Sequence, residues 1–253
     1  MIRLALCLFL AFLPGLARAE SVVLGLSQDQ VAITATFNGS QLLIFGAVKR
    51  DAPAPTAPLD VVIAISGPFE PVVVRKKSRK FGIWINTEAV HVDEAPSYYA
   101  VASSRPLDEA LSQTDDLRYK ITLDRAIRAV GVTDEAEDAP SFIEALKRIR
   151  KNAGLYVLHE GSVAIDQETL FRTSLDLPSN ITEGDYPTRI FLTREGKVID
   201  LYETTIDVRK VGLERWLYAT AQNQALFYGV LSLVIAVAAG WIASIVFGMI
   251  FRR

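Results

Sequence analysis

Cysteine is nearly absent from this 253-residue chain, and the single one, Cys7, lies in the first 19 residues. There Arg3 supplies a positive n-region, Leu4 to Leu13 a short apolar stretch, and Ala17-Arg18-Ala19 an A-x-A cleavage signal. An apolar run of about ten residues is too short to cross a bilayer, so residues 1–19 read as a removable secretory signal. Leu4-Ala5-Leu6-Cys7 resembles a lipid-attachment box, but Cys7 precedes most of the apolar run, which favours cleavage after Ala19. The mature chain is then expected to have no disulfide, no thiolate ligand and no cysteine nucleophile. Its exported domain must rest on an ordinary apolar core, for which residues 20 to about 222 suffice.

Histidine is almost as scarce. His91 and His159 are the only two, and a metal site would need them together with carboxylates such as Asp93 and Glu94. Ordinary surface or hydrogen-bonded histidines are the expectation, with no metal and no cofactor. The chain has no Gly-x-Ser-x-Gly elbow, no His-Glu-x-x-His and no phosphate loop. Nothing marks Ser103 or Ser104 as a nucleophile. Asp115-Asp116 would act as an acid/base pair only in a cleft that raised one pKa.

Charge is missing altogether from Leu226 to Ile250, as is proline. About 25 apolar residues at 1.5 Å rise cross a hydrocarbon core of about 30 Å with some tilt. With no acidic, basic or histidine side chain inside it, the segment is not expected to carry a proton or ion relay. Small residues recur every fourth position, at Ser232, Ala236, Gly240, Ser244 and Gly248, a spacing that allows a second helix to approach closely. Arg252-Arg253 would stay cytoplasmic under the positive-inside rule. The expected placement is therefore the inner (cytoplasmic) membrane, single-pass, with the N-terminal domain in the periplasm. Residues 210–225 form a juxtamembrane stem, and Trp216, Tyr218 and Tyr228 suit an interfacial aromatic belt. Residues 251–253 are a tail too short to carry a function.

Setting aside Arg3, Arg18, Arg252 and Arg253 leaves 23 of the 27 Lys+Arg against 29 Asp+Glu, a net charge of −6. Such a balance gives no support to nucleic-acid binding. Against it stands one basic run, Arg75-Lys76-Lys77-Ser78-Arg79-Lys80. It reads either as an anion contact (lipid head groups, a cell-wall polymer, an acidic partner) or as a solvated hairpin loop whose charges blunt edge pairing. Arg105, at the end of an aromatic stretch from Tyr98, is a further candidate anion contact. Trp84, in Gly-Ile-Trp-Ile-Asn, reads as core.

Most of the exported region reads as short strands. Gln30 to Phe37 alternates, Asn38-Gly39 is a turn signal, and Gln41 to Val48 follows as a strand. Leu59 to Ile65 is a nearly continuous apolar strand. Val72–Val74 and Phe81–Ile85 flank the basic run, which is expected to be their turn. Helical periodicity places Leu123, Ile127 and Val130 on one face before Gly131. A second helix carries Phe142, Leu146, Ile149 and Ala153 on one face, opened by a Ser141/Glu144 capping box and closed by Gly154. Strands return at 162–165, 170–175, 188–193 and 198–206, with Glu195-Gly196-Lys197 as a tight hairpin. Gly184-Asp185-Tyr186 resembles a tyrosine corner. The expected fold is mainly β: an immunoglobulin-like antiparallel β-sandwich over 20–209, with a helical insertion at about 106–153, plus one C-terminal transmembrane helix at 226–250. Two small domains are the alternative.

Several stretches resemble a family of alphaproteobacterial transmembrane proteins of about this length: Leu43-Ile44-Phe45-Gly46, Gly82 to Asn86, Tyr98 to Leu107, Leu170-Phe171-Arg172, Lys210 to Trp216, Tyr228-Gly229 and Gly240-Trp241. The resemblance implies a signal sequence, an exported domain and one C-terminal span. It assigns no reaction and no catalytic residue. It also points to a permease of the sulfite-exporter type as the kind of membrane neighbour. The favoured expectation is a non-enzymatic accessory protein that contacts the lipid bilayer and an integral membrane partner, or itself, through its span. A tethered anion- or solute-binding module is the alternative, and a hydrolase or metal-dependent enzyme using His91, Asp93 or His159 is the third.

Overall fold

The computed structural model describes residues 20–27, 30–34, 37–50, 56–129, 138–210 and 220–250, with side chains to residue 247. Contacts divide the chain into a β-rich unit reaching Val208 and a second unit holding the C-terminal segment. The chain is mainly β. Its strands are β1 (Glu20–Leu26), β2 (Gln30–Ile33), β3 (Ser40–Arg50), β4 (Leu59–Ser66), β5 (Phe69–Lys80), β6 (Ile83–Pro96), β7 (Tyr99–Ser103), β8 (Tyr156–His159), β9 (Ala164–Asp166), β10 (Leu170–Leu177), β11 (Gly184–Arg194) and β12 (Lys197–Lys210). The helices are α1 (Leu107–Ala110), α2 (Gln113–Tyr119), α3 (Leu123–Ala126), α4 (Ala139–Asn152) and α5 (Ala225–Ile250).

The strands form a four-stranded sheet, β1-β3-β10-β9, a six-stranded sheet, β2-β12-β11-β4-β7-β8, and a separate ribbon, β5-β6. Strand β4 is buried along its whole length, so its near-continuous apolar sequence reflects cover on both faces. On one face Val62 and Ala64 join Tyr99, Val101 and Phe191 in a core with Ile121, Phe142 and Leu146 from the helical segment. Alternation sends Ile63 and Ile65 to the other face, with Ile190 and Leu192 of β11. Leu42 and Ile44 of β3 and Phe171 and Leu175 of β10 are likewise sealed from solvent, and β10 touches β7.

The helices occupy the connection between β7 and β8, which pair in parallel. Parallel neighbours need a crossover rather than a tight turn, and α1–α4 provide it while covering the sheet. A purely antiparallel sandwich therefore needs this one amendment. Helix α4 is clamped at its end: the Arg150 side chain pairs with Glu70 at 3.0 Å, donates to the Pro96 carbonyl and lies 5.6 Å from the Tyr156 ring centroid.

Several local expectations change. The alternating strand ends early, and β2 and β3 join different sheets, so Asn38-Gly39 is a crossing between sheets rather than a hairpin turn. The helix expected from Leu123 is only the single turn α3; Arg128 then makes a bridge with Glu94, while Val130 and Gly131 lie outside the described residues. Ser141 does not cap α4. The helix begins at Ala139 with Pro140 in its first turn, and the Ser141 hydroxyl donates to the Asp138 carbonyl. Ile149 is exposed rather than part of the apolar face. Gly154, at φ 72°, does close the helix, with its N–H on the Lys151 carbonyl. Glu195-Gly196 is a two-residue turn with both φ positive, and Tyr186 forms the corner, its hydroxyl donating to the Thr182 carbonyl at 2.6 Å.

Two long-range ties join the first strand to the last hairpin, β11–β12. Glu20 pairs with Arg50 (2.7 Å) and Arg194 (3.1 Å), all three side chains being largely buried. The Val22 N–H donates to the Asp200 carboxylate at 3.0 Å. At Gly46 an added Cβ would strike the ring of its cross-strand partner Phe171, which lies over the bare backbone.

Buried tyrosines make the domain sensitive to alkali. Tyr99 and Tyr156 donate to the Ile121 and Pro96 carbonyls at 2.7 and 2.8 Å. Burial pushes the phenols of Tyr99, Tyr156 and Tyr186 from 10 up to about 12, and that of Tyr98 upward too. The unfolded chain loses these protons near pH 10 and the folded one near 12, so the stabilising contribution is complete below 10 and lost as pH rises toward 12. Urea midpoints of the full chain in nanodiscs are expected to fall steadily across this window. A flat profile from pH 10 to 12 would contradict the buried phenols.

Candidate functional sites: a cationic hairpin, an apolar helix and two clefts

The basic run sits in a strand, not a turn. β5 continues through Arg75, Lys76, Lys77, Arg79 and Lys80, and the chain reverses at Phe81-Gly82. The base of the ribbon is fastened to the domain because Val74, Val90, Val92 and Ala95 belong to the core beneath the helices. Beyond Val74 that apolar anchoring stops, and the distal part is mostly exposed on both strands. Arg79 pairs across the ribbon with Trp84 and Lys80 with Ile83; a bulge falls at Lys76/Lys77. Lys76 reaches Glu88 at 3.7 Å, both well exposed, and Arg79 donates weakly to the Gly82 carbonyl at 3.4 Å. Among the described residues no carboxylate pairs with Arg75, Lys77 or Lys80. Trp84 is 68% exposed, so it is not core; its apolar neighbours in sequence mimic a buried strand, but here they stand in a free ribbon.

Arg105 is committed internally. Its Nε donates to Asp60 at 2.7 Å, a second guanidinium nitrogen bonds the other carboxylate oxygen, and Glu109 lies 3.2 Å away. Asp60 is sealed from water at the edge of β4 and also accepts from the Ser104 hydroxyl at 2.9 Å. A free anion would have to displace a bidentate carboxylate, so Arg105 is first a counter-ion for Asp60. Ser103 and Ser104 are likewise structural, the former donating to the Arg105 carbonyl at 2.6 Å.

Asp115 and Asp116 face backbone rather than a substrate. Asp116 accepts from the Ile121 and Thr122 N–H groups (3.1 and 2.8 Å) and the Thr122 hydroxyl (2.8 Å), while Asp115 accepts from the Val198 N–H at 2.9 Å. His91 stands on β6 opposite Val73, and His159 at the end of β8. Among the described residues no three His, Cys, Asp or Glu side chains gather in a metal-sized group.

Two clefts escaped the sequence. One, of about 460 Å³, lies between β7–β8 and α3–α4, with Tyr99, Tyr156 and Leu158 among its apolar lining and Lys147 bonded to Asp124 (2.6 Å) and Glu144 at its rim. The other, of about 390 Å³, is lined by Arg118, Lys120, Arg125, Arg128 and Arg189 against one carboxylate, Glu94. Arg189 donates to the Tyr119 and Lys120 carbonyls at 2.6 and 3.0 Å, while Arg118 and Arg125 lean on Asp115 and Asp116 at 3.7 and 3.9 Å. Its cations come from α2, α3 and their flanks and from distant β11, so no local run signals it.

In the second unit, α5 runs Ala225–Ile250, and its Ala225–Phe247 stretch has mean hydropathy 2.5. None of its most apolar window is buried: Leu233, Val237, Trp241 and Phe247 are all more than 60% exposed. The Ser232 hydroxyl back-bonds to the Gly229 carbonyl at 2.8 Å, which removes its polarity from the surface. Ser232, Ala236, Gly240, Ser244 and Gly248 all fall within this helix, and Gly240 has open space where a side chain would stand. Tyr228 is 38% exposed near its start; Trp216 and Tyr218 lie outside the described residues.

Residues 21–249 match the family described as "Putative transmembrane protein (Alph_Pro_TM)". No curated protein matches the chain.

Removing the Arg105 guanidinium strands a buried carboxylate. Arg105→Ala is expected to cost about 1–3 kcal/mol of stability, with water access to the exposed side of the pair keeping it below the cost of a fully enclosed one. The double variant Asp60→Asn/Arg105→Ala should recover part of the loss. Additive single and double effects in chemical unfolding would refute the coupling.

Proposed function

The chain belongs to the Alph_Pro_TM transmembrane family, and from that premise we propose that it is a single-pass, membrane-anchored accessory protein without an enzymatic role. Its β-rich domain lies in the periplasm, its span crosses the inner membrane, and its C-terminus is cytoplasmic. The span packs against another integral membrane protein, such as a permease, or against a second copy. The observation that carries this reading is α5: 26 residues without an acidic or basic side chain, solvent-facing along its most apolar window, with small residues at every fourth position from 232 to 248. Lipid provides no hydrophobic drive between helices, so close backbone approach at such residues is what favours association. The orientation is supported by the leader-like first 19 residues, by a family match that begins at residue 21, and by Arg252-Arg253 after the span.

A second reading, a tethered anion- or solute-binding module, is favoured by the arginine-lined cleft around Arg118, Arg125, Arg128 and Arg189 rather than by Arg105. A hydrolase or metal-dependent enzyme has no observation in its favour among the described residues.

Gly240→Leu combined with Ser244→Ile fills the small-residue stripe while keeping the segment apolar. Crosslinking and co-purification from native membranes are expected to lose about tenfold in recovered partner or self-dimer, at unchanged insertion. Equal recovery from correctly inserted variant protein would defeat the proposal.

A further inference from the structure

The tip of the β5–β6 ribbon is an anomaly on a soluble surface. Phe81 is fully exposed, Ile83 and Trp84 are 64% and 68% exposed, and Ile85 is 39% exposed. Scattered apolar residues need no explanation, but four large ones within five positions form a patch of the kind that marks a binding surface. The backbone sharpens the point. Phe81 has φ 51° and Gly82 φ 85°, the pattern of a type I′ turn, for which Asn-Gly is the preferred pair. A phenylalanine in the left-handed region is sterically disfavoured. Here it gains no intramolecular packing in return, since its ring is in solvent. Charges alone would protect the ribbon's edges from unwanted pairing; they do not account for the aromatic tip.

We infer that the β5–β6 ribbon is a second membrane contact, in which Phe81, Ile83, Trp84 and Ile85 enter the interfacial zone of a bilayer while Arg75, Lys76, Lys77, Arg79 and Lys80 bind the phosphates of anionic phospholipids. Aromatic side chains favour the headgroup level, and clustered Lys/Arg favour an anionic surface. The order along the ribbon fits. The apolar residues are at the turn, and the cations follow within about 20 Å at 3.3 Å per residue, the thickness of the interface and the water layer beside it. Charge is segregated in the same sense: residues 75–87 hold five cations and no carboxylate. The remaining 18 cations of residues 20–251 face 29 acids, so an anionic surface attracts the arm and repels the body. The free backbone groups at the ribbon's two edges confine it to the interface, because hydrocarbon would leave them unsatisfied. This contact is independent of any partner bound by α5.

The test uses the full chain carrying Cys7→Ala, labelled with an environment-sensitive fluorophore at Ile83→Cys or, as a control on an exposed loop, at Ser179→Cys. In nanodiscs of phosphatidylcholine containing phosphatidylglycerol, quenching by aqueous iodide at position 83 is expected to be about fivefold weaker than at 179, and nitroxides at headgroup depth should quench 83 selectively. Replacing Arg75, Lys77 and Lys80 together by serine should remove most of that protection. Phe81→Asn, which suits the turn and leaves the fold intact, should weaken it as well. Equal iodide access at 83 and 179 overturns the inference. So does protection at 83 that arises in native membranes but not in lipid-only nanodiscs, which would assign the tip to a protein partner.

Discussion

Strand β4 is closed to water on both faces, and the rest of the β-rich unit is arranged to keep it so. One face is covered by the helical crossover between β7 and β8; on the other, Ile63 and Ile65 are buried with Ile190 and Leu192 of β11. Any polar group carried into that position must bring its own partner, because an unpaired buried charge costs far more than a hydrogen bond returns. Asp60, at the edge of β4, is accordingly held by Arg105 and Ser104. The tyrosines around it obey the same rule, each aiming its hydroxyl at a backbone carbonyl. Much of what a sequence reader would nominate as chemistry is the polar lining of a well-sealed core.

Three features lie outside that core. The β5–β6 ribbon is rooted by Val74, Val90 and Val92 and then leaves the domain. The arginine cleft is built from α2, α3 and β11 and carries a surplus of positive charge. Helix α5 has its apolar surface open to whatever surrounds it. All three carry surplus charge or exposed apolar surface, the features on which the proposals above rest.

The sequence was most legible where a signal is local and redundant. The length and uniformity of α5, the apolar run of β4, the Glu195-Gly196 turn, the Gly154 stop and the Tyr186 corner each follow from a handful of adjacent residues. It misled where local chemistry permits two outcomes. Five cations in six residues look like a turn, yet a strand's hydrogen bonds are made by backbone, and exposed cations are compatible with an edge. Ile-Trp-Ile has the composition of a buried strand, and burial depends on neighbours the sequence does not reveal. Ser141 with Glu144 fits a capping box, but Pro140 suits the first helical turn and moves the start back to Ala139. The parallel β7–β8 pair and the arginine cleft depend on residues more than fifty positions apart, beyond the reach of periodicity.

The Glu20–Arg194 pair spans 174 residues, and the Val22–Asp200 bond spans 178. Chains are made from the N-terminus, so β1 can meet β3 early, but its ties to Arg194 and Asp200 wait for nearly the whole domain. Closure of this kind makes assembly slow and late, since the entropy of a long loop must be overcome before the contacts form. Until then β1 has β3 as its strand partner, and the Val22 N–H lacks the Asp200 carboxylate that accepts from it. The interval between the synthesis of β1 and that of β12 is when the incomplete domain leaves apolar surface open to aggregation.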